Sequence, residues 1–168
     1  MDDNYAGRMK KFLPVLSLFL VSLSPLFPEP GDLFDKAVDF SLDLKGIDAL
    51  VKNPAFTPSQ VSRAVVFDGS IASITVLEPE PGNFLAELEV IGGEWKSLES
   101  VSLYRVYVYV QGPEFAARLP RRAPAEGSKD IIGLNNHALV VGGIADVYTD
   151  EKGDRFAVIL ARHIRIIP

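Results

Sequence analysis

"VVGGIADVYTDEKGDRFAVILARHIRII", residues 140–167, decides how the rest of this chain is read. Two β-prone runs, extending over 138–148 and 155–167, flank the polar stretch "TDEKGD". Asp146, Asp150, Glu151 and Asp154 crowd the segment, and such a cluster is either a cation site or a turn kept in water. As a calcium loop it fails, because Lys152 stands where a ligand belongs, Gly153 comes too early, and the flanks alternate as strands where helices are required. The remaining reading is a β-hairpin whose tip uses Gly153 for a positive φ and keeps its acids solvated. No metal is expected there.

Working backwards from that hairpin, three more β candidates occupy 64–77, 84–91 and 101–110. Their linkers are turn-rich: "EPEPGN" at 78–83 and "GGEWKSLES" at 92–100. Between the third and fourth runs lies a longer connection, 111–137, with a short helix expected at "PEFAARL" (113–119) and then a loop, "PRRAPAEGSKD" (120–130). Three strands, a crossover carrying a helix, then a hairpin: over residues 64–167 this order resembles the OB-fold, a five-stranded Greek-key barrel. Asp68-Gly69 in the first run and Gly142-Gly143 in the fourth are suited to the bends that let long strands curve around a barrel. The expected fold class is therefore mainly β with a minor α component, an OB-like barrel carrying an N-terminal strand and short-helix extension over 32–63. An open sandwich or another small barrel is the competing architecture.

The extension begins with "AVDFSLDL" (37–44), in which Val38, Phe40, Leu42 and Leu44 alternate with Asp39, Ser41 and Asp43 as in a strand with one wet face. Helical turns are expected at 47–52 and after Thr57-Pro58.

The resemblance implies a binding face on the outer side of the second and third barrel strands. In "VSLYRVYVYV" (101–110), Val106, Val108 and Val110 alternate with Arg105, Tyr107 and Tyr109, so inward valines put Arg105, Tyr107 and Tyr109 outside. Glu87 and Glu89 of "FLAELEVI" share that outer side by the same alternation. With Trp95, these six residues are the candidate ligand-binding set. The competing reading buries the tyrosines under a second layer or under residues 33–63, and makes Trp95 a loop residue folded over the barrel end. A local basic spot, Arg118, Arg121 and Arg122, belongs to the crossover.

Catalytic chemistry has little to draw on. The chain has no cysteine and two histidines, His137 and His163, neither with a second histidine at helical or strand spacing. No nucleophile-elbow, zinc-protease or phosphate-loop spacing occurs, and the glycine pairs at 92–93 and 142–143 read as bends. No catalytic residue and no cofactor is expected.

The N-terminal 31 residues are of a different kind. Lys10 and Lys11 precede the uncharged run "FLPVLSLFLVSLSPLF" (12–27), which reads as an export signal or an uncleaved membrane anchor, followed by a proline-rich spacer. Met9 is a second candidate start beside Met1. Residues 1–31 contribute three basic and three acidic side chains, so 32–168 carries the whole net charge of −5. Net acidity and carboxylates on the proposed face oppose phosphate binding, which depends on Lys and Arg. The expectation is accordingly a non-catalytic, exported or membrane-tethered module of the cell envelope or periplasm that recognises a protein, a peptide or a cell-wall glycan. The alternatives are a structural or assembly component acting through an edge strand, a divergent envelope hydrolase, and a nucleic-acid-binding OB-fold protein.

Overall fold

Alternating sequence over long stretches builds the architecture of the chain. In a computed structural model, which describes residues 36–119 and 130–167, the elements are β1 (Val38–Asp39), α1 (Leu44–Val51), β2 (Ala64–Glu78), β3 (Leu85–Ser97), β4 (Ser100–Gln111), α2 (Pro113–Arg118), β5 (His137–Thr149) and β6 (Arg155–Ile167). The sheet runs β1-β2-β3-β4-β6-β5, and β5 returns to pair with β2, closing β2 to β6 into a five-stranded barrel. β4 and β6 pair in parallel, while the other barrel pairs are antiparallel. This is the OB-fold topology, with α2 between the third and fourth barrel strands.

Closure requires β2 to serve two neighbours: Val65–Ser70 pair with β5, and Ser70–Glu78 pair with β3. Gly69 lies at this changeover, where a Cβ would stand 2.7 Å from Val90 Cγ1 and 2.8 Å from the Ile91 carbonyl oxygen. Bulges supply the remaining curvature, with Arg162 the extra residue in β6 and Ala145 the extra residue in β5. Inside the barrel, Val65, Phe67, Ile71, Leu88, Val90, Val106, Val108, Val140, Ile159 and Ile164 form a close-packed interior.

The two ends are plugged by different parts of the chain. At the end where β6 starts lies α1, whose Ile47 and Val51 are fully buried. Arg155 anchors the following segment there by donating to the Asn53 and Phe56 carbonyls. At the opposite end Phe84, Phe115, Leu119 and Ile132 are buried. There Arg118 donates to the carbonyls of Asp130 and Ile164, so it holds the crossover to β6.

Two local expectations are corrected. The run 37–44 is not a strand beyond Val38 and Asp39, which pair in parallel with Ala64 and Val65. Its polar residues organise turns instead: Asp39 accepts from the backbone and hydroxyl of Ser41, and Asp43 caps α1 by accepting from Gly46 N at 2.7 Å. Such local side-chain bonds compete with a ladder and here prevail, leaving Phe40 59% exposed. The edge available for strand addition is thus two residues long. Nor is "GGEWKSLES" a loop, for β3 and β4 continue through it as a ribbon that turns at Leu98-Glu99.

Candidate ligand-binding face

Residues 85–95 of β3 and 101–111 of β4 pair without a bulge, so alternation is preserved along the whole ribbon. Glu87 lies opposite Tyr109, Glu89 opposite Tyr107, Ile91 opposite Arg105 and Trp95 opposite Val101. With Leu88, Val90, Val106 and Val108 buried inside, all six candidate residues fall on the outer side. The structure brings five of them together over the barrel. Trp95 stands apart, eight residues or about 27 Å along β3 from Glu87. There it is 73% exposed, beside the exposed Leu98, Val101 and Leu103.

The tyrosines are packed by residues that sequence alternation did not select. Tyr107 makes edge contacts with Tyr148 and Phe156, at centroid distances of 5.6 and 5.8 Å and interplanar angles of 89° and 84°. Tyr148 and Phe156 stack on one another at 6.4 Å as a cross-strand pair of the last hairpin. The two edge contacts of Tyr107 are attractive through the ring quadrupoles, and the stacked pair adds apolar contact. Arg105 sets its guanidinium 5.6 Å from the centre of the Phe156 ring while its Nε meets Glu89 Oε1 at 2.7 Å. Below Arg105, Tyr109 donates its hydroxyl to Glu87 Oε2 at 2.5 Å. That bond to a carboxylate, with some burial, pushes the Tyr109 phenol up to about 12.

Of these side chains, Glu87, Tyr107, Tyr109 and Tyr148 border an open cleft of about 720 Å³. Val158 and Leu160 of β6 supply apolar surface, Tyr107, Tyr109 and Tyr148 aromatic surface, and Glu87, Asp146 and Thr149 polar groups. The loops at 79–84 and 150–154 are those between barrel strands one and two and between four and five, which border ligands in OB-folds. In the second loop Asp150 Oδ1 accepts from the backbone nitrogens of Lys152 and Asp154, and Gly153 adopts φ 87°. The acid at the head of "TDEKGD" therefore shapes its own turn.

A second cleft of about 520 Å³ lies beside α1 and includes Asp43, Lys45, Asp68, Glu94, Tyr104 and His137. Glu94 is its hub: Lys45 and Lys96 approach Oε2 at 2.7 Å, and the Tyr104 hydroxyl donates to the same oxygen at 2.7 Å. Lys45 first, then Lys96 and Tyr104, hold the Glu94 carboxyl down at about 2. His137 Nε2 meets Asp68 Oδ2 at 2.9 Å across the β2–β5 closure. Among the described residues no hydroxyl is bonded to either histidine.

No family model matches the chain, and no curated protein matches it. Solved structures do resemble it. A small single-stranded DNA-binding protein from Streptomyces coelicolor has a TM-score of 0.39 and 19% identity, covering 62% of this chain and 93% of its own. The second single-stranded DNA-binding protein (SSBb) of Mycobacterium smegmatis has a TM-score of 0.38 and 17% identity, covering 61% and 86%. The N-terminal domain of PriB from Thermoanaerobacter tencongensis has a TM-score of 0.37 and 12% identity, covering 62% and 96%.

These findings correct the cellular reading of the sequence. The expected periplasmic or cell-envelope module, with an envelope protein, peptide or glycan as partner and nucleic acid set aside, gives way before structural neighbours that are single-stranded DNA-binding proteins. The expected export and membrane tethering belong to that same reading. The reading of 12–27 as an export segment lies outside the described residues, and among the described residues no helix is long and apolar enough to cross a membrane. Of the two carboxylates on this face, Glu89 is charge-paired with Arg105, whereas Glu87 takes a hydrogen bond from the neutral Tyr109 hydroxyl and keeps its charge.

Proposed function

We propose that this chain is a non-catalytic OB-fold module that binds single-stranded nucleic acid along the outer face of β3 and β4. One observation carries the reading: Tyr107 and Tyr148, both packed against Phe156, border an open cleft on the side of the barrel that OB-folds use for oligonucleotides. Aromatic rings bind single strands because every unpaired base has a π-face to stack, whatever the sequence. Trp95 supports a longer path, since it continues the same face along the ribbon and is freely exposed. The structural descriptions of the neighbours agree with this reading.

The low density of cations makes stacking the principal source of affinity. Near the proposed path stand Arg105, Lys96 and Lys152, and the first two are already paired with Glu89 and Glu94. Trp95, the chain's one tryptophan, provides a native probe. Adding single-stranded oligonucleotides is expected to quench its fluorescence, and duplex of equal length is not. Tyr107→Ala or Tyr148→Ala is expected to weaken binding about 5- to 150-fold, from roughly 1–3 kcal/mol per stacked base. Saturable binding that survives both substitutions unchanged would move the site off this face, and no binding by fluorescence or anisotropy would refute the function.

A further inference from the structure

The cleft beside Tyr107 carries chemistry that a purely sequence-neutral stacking surface does not need. Glu87 faces it with one carboxylate oxygen, Oε2, committed to Tyr109. Its other oxygen, Oε1, accepts no hydrogen bond from a described residue. Across the cleft, Asp146 uses Oδ1 to accept from Val147 N at 2.8 Å and has no described partner for Oδ2. Thus the polar groups next to the rings include two acceptors with unused capacity. Among the described residues no lysine or arginine lines the cleft.

Such a border repels phosphate and admits a base edge-on. An ionised carboxylate can only accept, so it rewards a ligand edge that presents N–H donors. Cytosine, adenine and guanine each carry an exocyclic amino group, and acceptance from cytosine N4 is an established use of Glu and Asp. Thymine and uracil offer a single N–H between two carbonyl oxygens, which face a carboxylate with like charge. The volume of about 720 Å³ lies in the range of small-molecule sites and accommodates one nucleoside against Val158 and Leu160.

We infer that this cleft reads one unpaired base of a bound strand and selects bases bearing an exocyclic amino group over thymine and uracil, with Glu87 as the principal specificity residue and Asp146 as its partner. The inference rests on the proposed single-strand binding and adds a base preference to it.

Fluorescence anisotropy with labelled oligo(dC), oligo(dA) and oligo(dT) of equal length tests the selection on the intact chain. Oligo(dC) and oligo(dA) are expected to bind about tenfold more tightly than oligo(dT), the scale of one hydrogen bond to a charged group. Glu87→Gln, whose amide both donates and accepts, is expected to shrink that ratio towards one mainly by improving oligo(dT) binding, and Asp146→Asn to shrink it in part. Thermal unfolding of both variants checks that the barrel is intact. Equal affinity for the three oligomers, a preference for oligo(dT), or a ratio unchanged in the double variant overturns the selection while leaving strand binding in place. Failure of all three to bind overturns the proposed function itself.

Discussion

Gly142 and Gly143 are adjacent in β5, look equivalent in the sequence, and are predicted to respond in opposite ways to the same methyl group. At Gly142, which is buried where β5 meets β6, a Cβ would sit 2.5 Å from the Leu160 carbonyl oxygen, 2.8 Å from Ile159 Cγ2 and 3.0 Å from Ala161 Cα. Two of these atoms belong to the backbone of the neighbouring strand and cannot rotate away. The strands must separate next to the Arg162 bulge, within the hairpin that closes the barrel. Overpacking of this kind costs about 1–3 kcal/mol, and backbone on the far side puts Gly142→Ala near the upper end, about 3 kcal/mol. At Gly143 nothing stands within 4 Å of a Cβ. Its φ is not in the left-handed region, so Gly143→Ala only restricts the unfolded chain and stabilises by about 0.5–1 kcal/mol. In urea, with a slope of roughly 1.5 kcal/mol/M, Gly142→Ala should lower the unfolding midpoint by about 2 M, while Gly143→Ala should raise it by about 0.5 M. Equal midpoints, or the reverse order, would refute the register assigned to the β5–β6 closure.

Further expectations concern the binding face. Tyr109 has its folded-state phenol raised from 10.0 to about 12 chiefly by its bond to Glu87. The protonated form is favoured by folding, so its contribution is complete below pH 10 and is lost as pH rises through about 12. Phenolate absorbance should therefore show one late tyrosine step near pH 12 that is missing in Tyr109→Phe; a titration unaltered by that substitution would contradict the bond. Salt dependence of oligonucleotide binding should be shallow, because even full use of Arg105, Lys96 and Lys152 gives a slope near −2 in a log–log plot, at about 0.7 per phosphate. A slope of about −5 or steeper would mean that a different, more basic surface carries the strand.

Much of the barrel was legible because its strands are long and alternate cleanly. Val106, Val108 and Val110 against Tyr107 and Tyr109 fix an inside and an outside without reference to any other strand. The acidic hairpin tip was equally readable, since Asp150 and Gly153 form a turn from neighbours in sequence. The misreadings arose where local rules compete. Asp39, Ser41 and Asp43 suit the wet side of a strand, but each also bonds nearby backbone or side chain, and that alternative prevailed. Trp95 looked like a loop residue because glycines precede it, although β3 passes straight through them.

By itself, then, the sequence determined the order of the strands, the side of β4 on which its tyrosines stand, and the positions where the chain must bend. Only tertiary structure decided what meets those tyrosines. Tyr148 is an even-numbered residue on a strand whose buried positions Val140, Gly142 and Ile144 are also even, so unbroken alternation would turn it inward. The extra residue Ala145 reverses the alternation and turns Tyr148 outward, beside Phe156. Contact with Tyr107 then requires β4 and β6 to pair in parallel, Tyr107 opposite Val158, about fifty residues apart in the chain. Nothing local specifies that pairing. It follows from closing the sheet on itself, which fixes every register around the barrel together and brings one aromatic surface out of three separate strands.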